Sequence, residues 1–394
     1  MITVSEAKNI IANNVTALQP VTVSLTDAVG SILAEDIYAT LNIPAFRQSA
    51  MDGYGFCFDD HVAKKEIIIN GEVPAGSDAT MIIQSQQAVR IFTGAPVPEG
   101  VDTVIMQEKV SVQDKQLFIQ DAQLIKGQNI RAIGSEIALG ELALEKESVL
   151  SPAAIGFLAG IGITTVRVYP KPTITIIVTG NELQEPGVAL KAGQVYESNS
   201  VMLTAILQQL HINNITVVKA ADDLVTLQSV LETALQNSDV VLLTGGVSVG
   251  DYDFVVEGAA RSGVTQLFHK IKQKPGKPLF FGRKENKLVF GLPGNPSSVL
   301  TCFYEYVIGA LEKISRQKNS SKIIYLPLAK DYNKKGIFTN FLKGIYTDKD
   351  VLPLDAQDSF RLSSFATANC LICLSEEEKT YVAGEMVAVH LINI

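Results

Sequence analysis

Residues 240–253 read Val240-Val241-Leu242-Leu243-Thr244-Gly245-Gly246-Val247-Ser248-Val249-Gly250-Asp251-Tyr252-Asp253. Four consecutive apolar residues predict a strand buried on both faces. The glycines predict a tight turn, and Asp251 is placed to cap a helix that stops near Gly263. Working outward, 174–178 is a second apolar strand and Ser200 can cap a helix over 201–210. Residues 215–219 predict a strand, 222–236 a helix. Continuously apolar strands separated by helices predict a parallel sheet covered on both faces, a three-layer α/β domain over 171–318.

The flanks differ. Residues 43–134 carry short β patterns, such as Glu66-Ile67-Ile68-Ile69, punctuated by Gly and Pro, and predict a small β domain. Residues 1–42 and 135–170 predict a discontinuous helical domain, with helices from Ser5, from Asp27, and from Ser151-Pro152, the last ended by Gly160 and Gly162. Pro170-Lys171-Pro172 predicts the entry to the α/β domain. Residues 319–394 return to short β runs and predict a C-terminal β-barrel or sandwich. The fold class is therefore α/β multidomain.

Composition narrows the function. Of 394 residues, 47% are apolar and 19% charged, which suits packed domains and argues against disorder. A net charge of −8 with no basic stripe argues against nucleic acid as a partner. No apolar run approaches the ~20 residues that span a bilayer, and the N-terminus lacks a signal peptide's pattern, so a cytoplasmic protein is expected. The four cysteines, Cys57, Cys302, Cys370 and Cys373, are too few for a disulfide scaffold. Cys370 and Cys373 form a C-x-x-C on an expected strand, where a spacing of three sends the side chains to opposite faces, so they read as core. The four histidines are scattered and give no zinc constellation.

Parallel sheets bind ligands at the carboxyl ends of their strands. The expected strand ends are Thr179-Gly180-Asn181-Glu182, Ala221-Asp222-Asp223, and 244–253, followed by Lys274-Pro275-Gly276-Lys277-Pro278 and Pro293-Gly294-Asn295-Pro296-Ser297-Ser298. Gly245, Gly246, Ser248 and Gly250 precede a helix N-terminus, where free amides favour an anion, although the loop is neither a Walker A nor a dinucleotide fingerprint. Lys274 and Lys277, restrained by prolines, bring two ammonium groups together, which repel unless an anion sits between them. The competing reading is an exposed basic turn. Glu182, Asp222 and Asp253 would converge on the same edge, and carboxylates beside a phosphate site point to Mg²⁺. For Asp222 and Asp251 helix capping is the rival explanation. Asp52, in Ser49-Ala50-Met51-Asp52-Gly53-Tyr54, and Thr93, in Thr93-Gly94-Ala95-Pro96-Val97-Pro98, lie on small-residue loops that a structural turn would equally explain.

As an ordered set these segments, with Asn181-Glu182-Leu183 and Ser198-Asn199-Ser200, resemble the molybdopterin molybdenumtransferase family (MoeA-type proteins and the gephyrin E domain) over nearly the whole chain. The resemblance implies an L-shaped homodimer of four-domain chains, its helical domain serving dimerisation and its α/β domain binding molybdopterin. It implies adenylylated molybdopterin and molybdate as substrates, AMP as product, Mg²⁺ as cofactor, and the molybdopterin adenylyltransferase as a partner. It also implies a cleft between the second domain of one subunit and the third domain of the other.

By position, Asp52, Thr93, Glu182, Asp222, Asp253, Lys274, Lys277 and Ser359 match the family's functional residues. Glu182 and Asp253 would place Mg²⁺. Lys277, Thr93 and Ser359 would contact molybdate. Gly245, Gly246, Ser248, Gly250, Gly276, Pro293, Gly294, Asn295 and Ser297 would hold the pterin phosphate and adenylate. Four positions depart from the family pattern: Asn181 replaces Asp, Ser135-Glu136 replaces an acidic pair ending in Asp, Gly55 replaces Ala, and Lys343 replaces an Arg, removing bidentate anion binding there. Two other readings are a molybdopterin-binding scaffold without turnover and a nucleotide-cleaving hydrolase on the same α/β domain.

Overall fold

The computed structural model describes residues 1–78, 80–246, 254–317 and 322–392. Two compact units divide the chain: Thr22–Val168, and Met1–Val21 together with Tyr169–Ile394. The boundary falls beside Pro170-Lys171-Pro172. Among the described residues, no helix is long and apolar enough to cross a membrane.

The larger unit is built on a six-stranded sheet. Its elements are β1 (Ile174–Thr179), α1 (Asn199–Gln209), β2 (Ile215–Ala220), α2 (Leu224–Asn237), β3 (Val240–Thr244), α3 (Phe254–Arg261), β4 (Thr265–His269), β5 (Phe280–Lys284), β6 (Lys287–Leu292) and α4 (Pro296–Cys302). The strand order is β2-β1-β3-β6-β5-β4. Strands β2, β1, β3 and β6 are mutually parallel, whereas β5 runs antiparallel to both neighbours. The expected parallel sheet is thus present with one reversed strand. The reversal follows from the tight turn at Glu285-Asn286, too short for the crossover that a parallel partner requires.

Side chains alternate across this sheet as a period of two demands. Ile174, Ile176 and Val178 of β1, with Val240 and Leu242 of β3, pack on one face against Leu203, Ile206 and Leu207 of α1 and the helical segments from α4 onward. Ile177, Val241 and Leu243 face the other way, onto Leu227, Leu231 and Leu235 of α2 and Val255 and Ala259 of α3. This is the three-layer arrangement. Beyond α4 the chain passes through a π-helical turn at Phe303–Val307 before the helix Ile308–Ile314.

The N-terminal helix Val4–Asn14, closed by a Thr3–Glu6 capping box, buries Ala7 and Ile11 in the same core. Its expected grouping with 135–170 is thus corrected, because its apolar stripe is covered by the α/β domain. The C-terminal sheet aligns Thr339–Tyr346, Cys370–Leu374, Met386–Leu391 and Ile323–Pro327. Gln273–Lys274 extends its edge, pairing in parallel with Thr339 and Asn340. Cys370 and Cys373 are free and face different apolar clusters, and burial pushes both thiols up to about 12.

The smaller unit holds a six-stranded sheet ordered Thr103–Met106, Gly53–Phe56, Gln87–Ile91, Ile68–Val73, Gln116–Ile119, Val110–Gln113. Within this unit, the segments expected to be helical contain one α-helix among the described residues, Pro152–Gly160, which Ser151 caps. The helix expected from Asp27 is a single 3₁₀ turn, Thr26–Ala28. The rest is a three-stranded sheet ordered Val21–Ser24, Thr165–Tyr169, Ile32–Leu33, and short β pairs such as Leu142–Leu144 with Ile37–Tyr38. Two- and three-residue strands are too short to carry a readable period.

Candidate functional site

Where β1, β2, β3 and β6 end, the chain leaves a cleft of about 1320 Å³. Its wall is made of six segments: 179–183 after β1, 195–199 before and within α1, Asp222 after β2, Gly245-Gly246 after β3, 273–278, and Pro293-Gly294-Asn295-Pro296 after β6. Residues 357–360 of the C-terminal region close it, with Phe338 and Phe254.

Most of the anticipated residues of this unit meet here: Glu182, Asp222, Lys274, Lys277, Ser359, Gly245, Gly246, Gly276, Pro293, Gly294 and Asn295 all line the cleft. Ser297 does not. It is 0% exposed under the first turn of α4, and its neighbour Ser298 reaches the wall instead. Ser248, Gly250, Asp251 and Asp253 lie outside the described residues. So one of the two expected Mg²⁺ ligands, Asp253, has no described position. Asp52 and Thr93 belong to the smaller unit, where Asp52 Oδ1 accepts from Thr93 N at 2.7 Å and Oγ1 at 2.8 Å. These bonds hold the Asp52 carboxyl below its ordinary range.

The capping ambiguity at the end of β2 resolves into two roles. Asp223 is the N-cap of α2, accepting from Thr226 N at 2.9 Å. Asp222, one residue earlier, turns to the neighbouring strand end and accepts from Asn181 N at 2.9 Å. Its carboxylate therefore braces the Gly180-Asn181-Glu182 loop while lining the cleft. The expected helix start at Ser200 is likewise displaced. Helix α1 begins at Asn199, and Ser200 is bound to Glu197 through its amide at 2.9 Å and its hydroxyl at 2.6 Å.

Two glycines are required by close backbone approach. At Gly245, φ is +83° and a Cβ would lie 2.3 Å from Thr179 O; at Gly276, φ is +88° and a Cβ would lie 2.5 Å from Cys302 Sγ. The lysine loop is tied down by Gln273, which sequence reasoning missed. Its buried amide donates to Pro275 O at 3.1 Å and Gly276 O at 3.2 Å, and Tyr306 Oη donates to its Oε1. Lys277 Nζ lies 5.8 Å from the centre of the Phe338 ring. Neither Lys274 nor Lys277 ion-pairs with a described carboxylate. Two cations on one loop therefore line a concave wall without a carboxylate partner among the described residues.

Other residues were also missed. Asn199 donates from Nδ2 to Gly294 O at 2.9 Å, and its buried Oδ1 has no partner among the described residues. The residue lines the cleft, although this oxygen is itself closed off from solvent. Phe338 and Phe360 supply aromatic faces. The central Asn of Ser198-Asn199-Ser200 was the one available signal for the first of these; nothing local marks the aromatics.

Among the described residues, no group of three His, Cys, Asp or Glu forms a metal cage. Glu182 and Asp222 still offer carboxylate oxygens on one cleft wall. Mg²⁺ commonly takes one or two carboxylates together with substrate phosphates, so this donor set suits it.

The sequence matches three family models that tile this architecture: the MoeA N-terminal region (domain I and II) over 2–162, a probable molybdopterin binding domain over 175–313, and the MoeA C-terminal region (domain IV) over 325–392. The chain is 35% identical to a molybdopterin molybdenumtransferase of Haemophilus influenzae, over 94% of this chain and 93% of that one. It is 34% identical to one of Staphylococcus epidermidis, over 99% and 95%. Two solved structures of a molybdopterin biosynthesis moeA protein from Pyrococcus horikoshii superpose with TM-scores of 0.84 and 0.78. They are 27% and 30% identical and cover 99% of this chain. With all three models matched in order and relatives above 30% identity matched over nearly their whole length, the chain belongs to the molybdopterin molybdenumtransferase family.

Proposed function

We propose that this protein inserts molybdenum from molybdate into adenylylated molybdopterin and releases AMP, the last step of molybdenum-cofactor assembly. The observation that carries this reading is the single cleft that gathers Lys274, Lys277, Glu182, Asp222, Asn295 and Ser359. The substrate is a dianionic diphosphate ester linked to a pterin, and the second substrate is an oxyanion. Both need fixed positive and hydrogen-bonding donors in a concave site.

The roles divide by chemistry. Lys274 and Lys277 neutralise phosphate and incoming oxyanion as point charges. The backbone at Gly245 and Gly294 gives the phosphates close approach. Asn199 fixes the Gly294 backbone through its amide, and Phe338 and Phe360 offer faces for a ring. Ser359 and Asn295 contribute a hydroxyl and an amide for molybdate oxygens. Water adds across the phosphoanhydride, giving the pterin monophosphate and AMP, and the two dithiolene thiols replace one oxygen of molybdate, which leaves as water with the two thiol protons while molybdenum stays hexavalent. Glu182, with Asp222 beside it and Asp253 as the further family ligand, would hold Mg²⁺, which supplies charge neutralisation along the anhydride. Positioning and charge stabilisation supply the acceleration, as in other phosphoryl chemistry. Asp52, Thr93 and homodimerisation belong to the same reading.

The test is direct. The protein is incubated with adenylylated molybdopterin, Mg²⁺ and molybdate, and AMP is assayed. AMP release that requires molybdate supports the transferase. Tight binding without AMP would make the chain a scaffold, and molybdate-independent hydrolysis of simple adenylyl diphosphates would make it a hydrolase.

A further inference from the structure

Lys343 stands on the strand Thr339–Tyr346 and is 2% exposed. An ammonium that deep must meet acceptors or lose its charge. Its Nζ donates to three main-chain carbonyls, Ala356 O at 2.8 Å, Arg361 O at 3.0 Å and Asp358 O at 3.3 Å. All three belong to one segment, 354–361, which has no strand or helix of its own. The backbone of Lys343 holds the same segment: its N–H donates to Gln357 Oε1 at 3.0 Å, and its carbonyl accepts from Gln357 Nε2 and Leu354 N, each at 2.9 Å.

Three carbonyl dipoles aimed at one point repel one another unless a cation sits between them. Ala356 adds strain, because its φ of +60° lies in the left-handed region that disfavours a Cβ. The outer side of this segment carries Asp358, Ser359 and Phe360 onto the cleft wall, where Ser359 Oγ accepts from Asn295 Nδ2 at 2.8 Å. The expected loss of bidentate anion binding at this position leaves a lysine whose ammonium is engaged by main-chain carbonyls inside the protein.

We propose that Lys343 is a positioning residue, whose buried ammonium gathers the 354–361 segment and so sets Ser359 in the cleft. The kinetic consequence rests on the proposed reaction; the structural consequence does not.

The full-length protein and its Lys343→Met variant are compared by amide hydrogen exchange and by AMP release at varied molybdate. Expected is an increase of about tenfold or more in exchange at 355–361, with β1 unchanged, since a charged hydrogen-bond set of this kind is worth at least one decade. In kinetics, Ser359→Ala lowers kcat/KM for molybdate by about tenfold in the native background and less than about twofold on top of Lys343→Met. Unchanged exchange together with a raised KM for molybdate would overturn the proposal and make Lys343 a direct ligand. Full additivity of the two substitutions would overturn it as well. Should Lys343→Met fail to fold, Ser364→Ala takes its place, because Ser364 Oγ donates to the same Ala356 carbonyl at 2.9 Å. Faster exchange at 355–361 in that variant supports the proposal, and native exchange there counts against it. If Ser359→Ala leaves AMP release intact in the native background, the assigned reaction role of Ser359 fails, while the exchange result still decides the role of Lys343.

Discussion

Asn295 donates its side-chain amide to the hydroxyl of Ser359 at 2.8 Å, joining the turn after β6 to a segment of the C-terminal region 64 residues away. The hydroxyl hydrogen of Ser359 remains available to a ligand oxygen. The pair is thus a two-part donor. Either partner alone would present its group less firmly.

Loss of one member should resemble loss of both. Ser359→Ala and Asn295→Ala are each expected to lower kcat/KM for molybdate by about tenfold, the scale of one well-placed hydrogen bond. The double variant should be no more than about twofold worse than either single one. A double-mutant cycle on AMP release measures this, and independent, multiplying effects would show that the two groups act separately.

Adjacent aspartates at the end of β2 predict opposite phenotypes. Asp223→Ala removes the N-cap of α2 and is expected to cost about 1 kcal/mol in urea unfolding, with catalysis retained. Asp222→Ala instead frees the Asn181 amide and removes a carboxylate from the cleft, so AMP release should fall by about tenfold or more while α2 keeps its cap. Equal kinetic losses in the two variants would refute this division of labour.

The lysine loop makes a binding prediction that needs no turnover. Lys274→Ala and Lys277→Ala should each weaken AMP binding by about tenfold, the usual worth of a charge-assisted contact. Calorimetry should also show a shallower salt dependence in each variant. Affinity unaltered in both would remove the loop from the anion site.

How much of this was legible in the sequence depends on the range of the forces involved. The strands at 174–179 and 240–244 announce themselves because burial on both faces leaves no polar alternation, and the ligand-binding end of a parallel sheet then follows from topology. Asp222 and Asp223 could not be separated, since either can cap a helix and only the backbone at Asn181 decides between them. Residues 135–150 read as helical because their β pairs are too short to show a period of two. Lys343 read as a substitution in an anion site because a sequence records charge but not burial. Gln273 and Tyr306, 33 residues apart, meet only through packing.

The last prediction concerns a contact that was illegible for the same reason. Glu305, on the π-helical turn, is buried between Lys8 of the N-terminal helix at 2.6 Å and His390 of the last strand at 2.7 Å. Burial pushes its carboxyl up, but the hydrogen bond from His390 and the charge of Lys8 outweigh this and hold it below the ordinary 4.5. A lowered folded-state pKa means the contribution to stability is fully present above the unfolded value. It is lost as pH falls through the folded value, so the window lies below about 4.5. Glu305→Gln should flatten the acid limb of stability measured by urea unfolding between about pH 3 and 6. Glu305→Ala leaves the partners of a buried pair uncompensated. It should cost about 3 kcal/mol at neutral pH, the low end for such pairs because Lys8 retains access to solvent. An acid limb identical to that of the native protein in Glu305→Gln would mean that other carboxylates govern acid unfolding and that the Lys8–Glu305–His390 bridge contributes nothing to it.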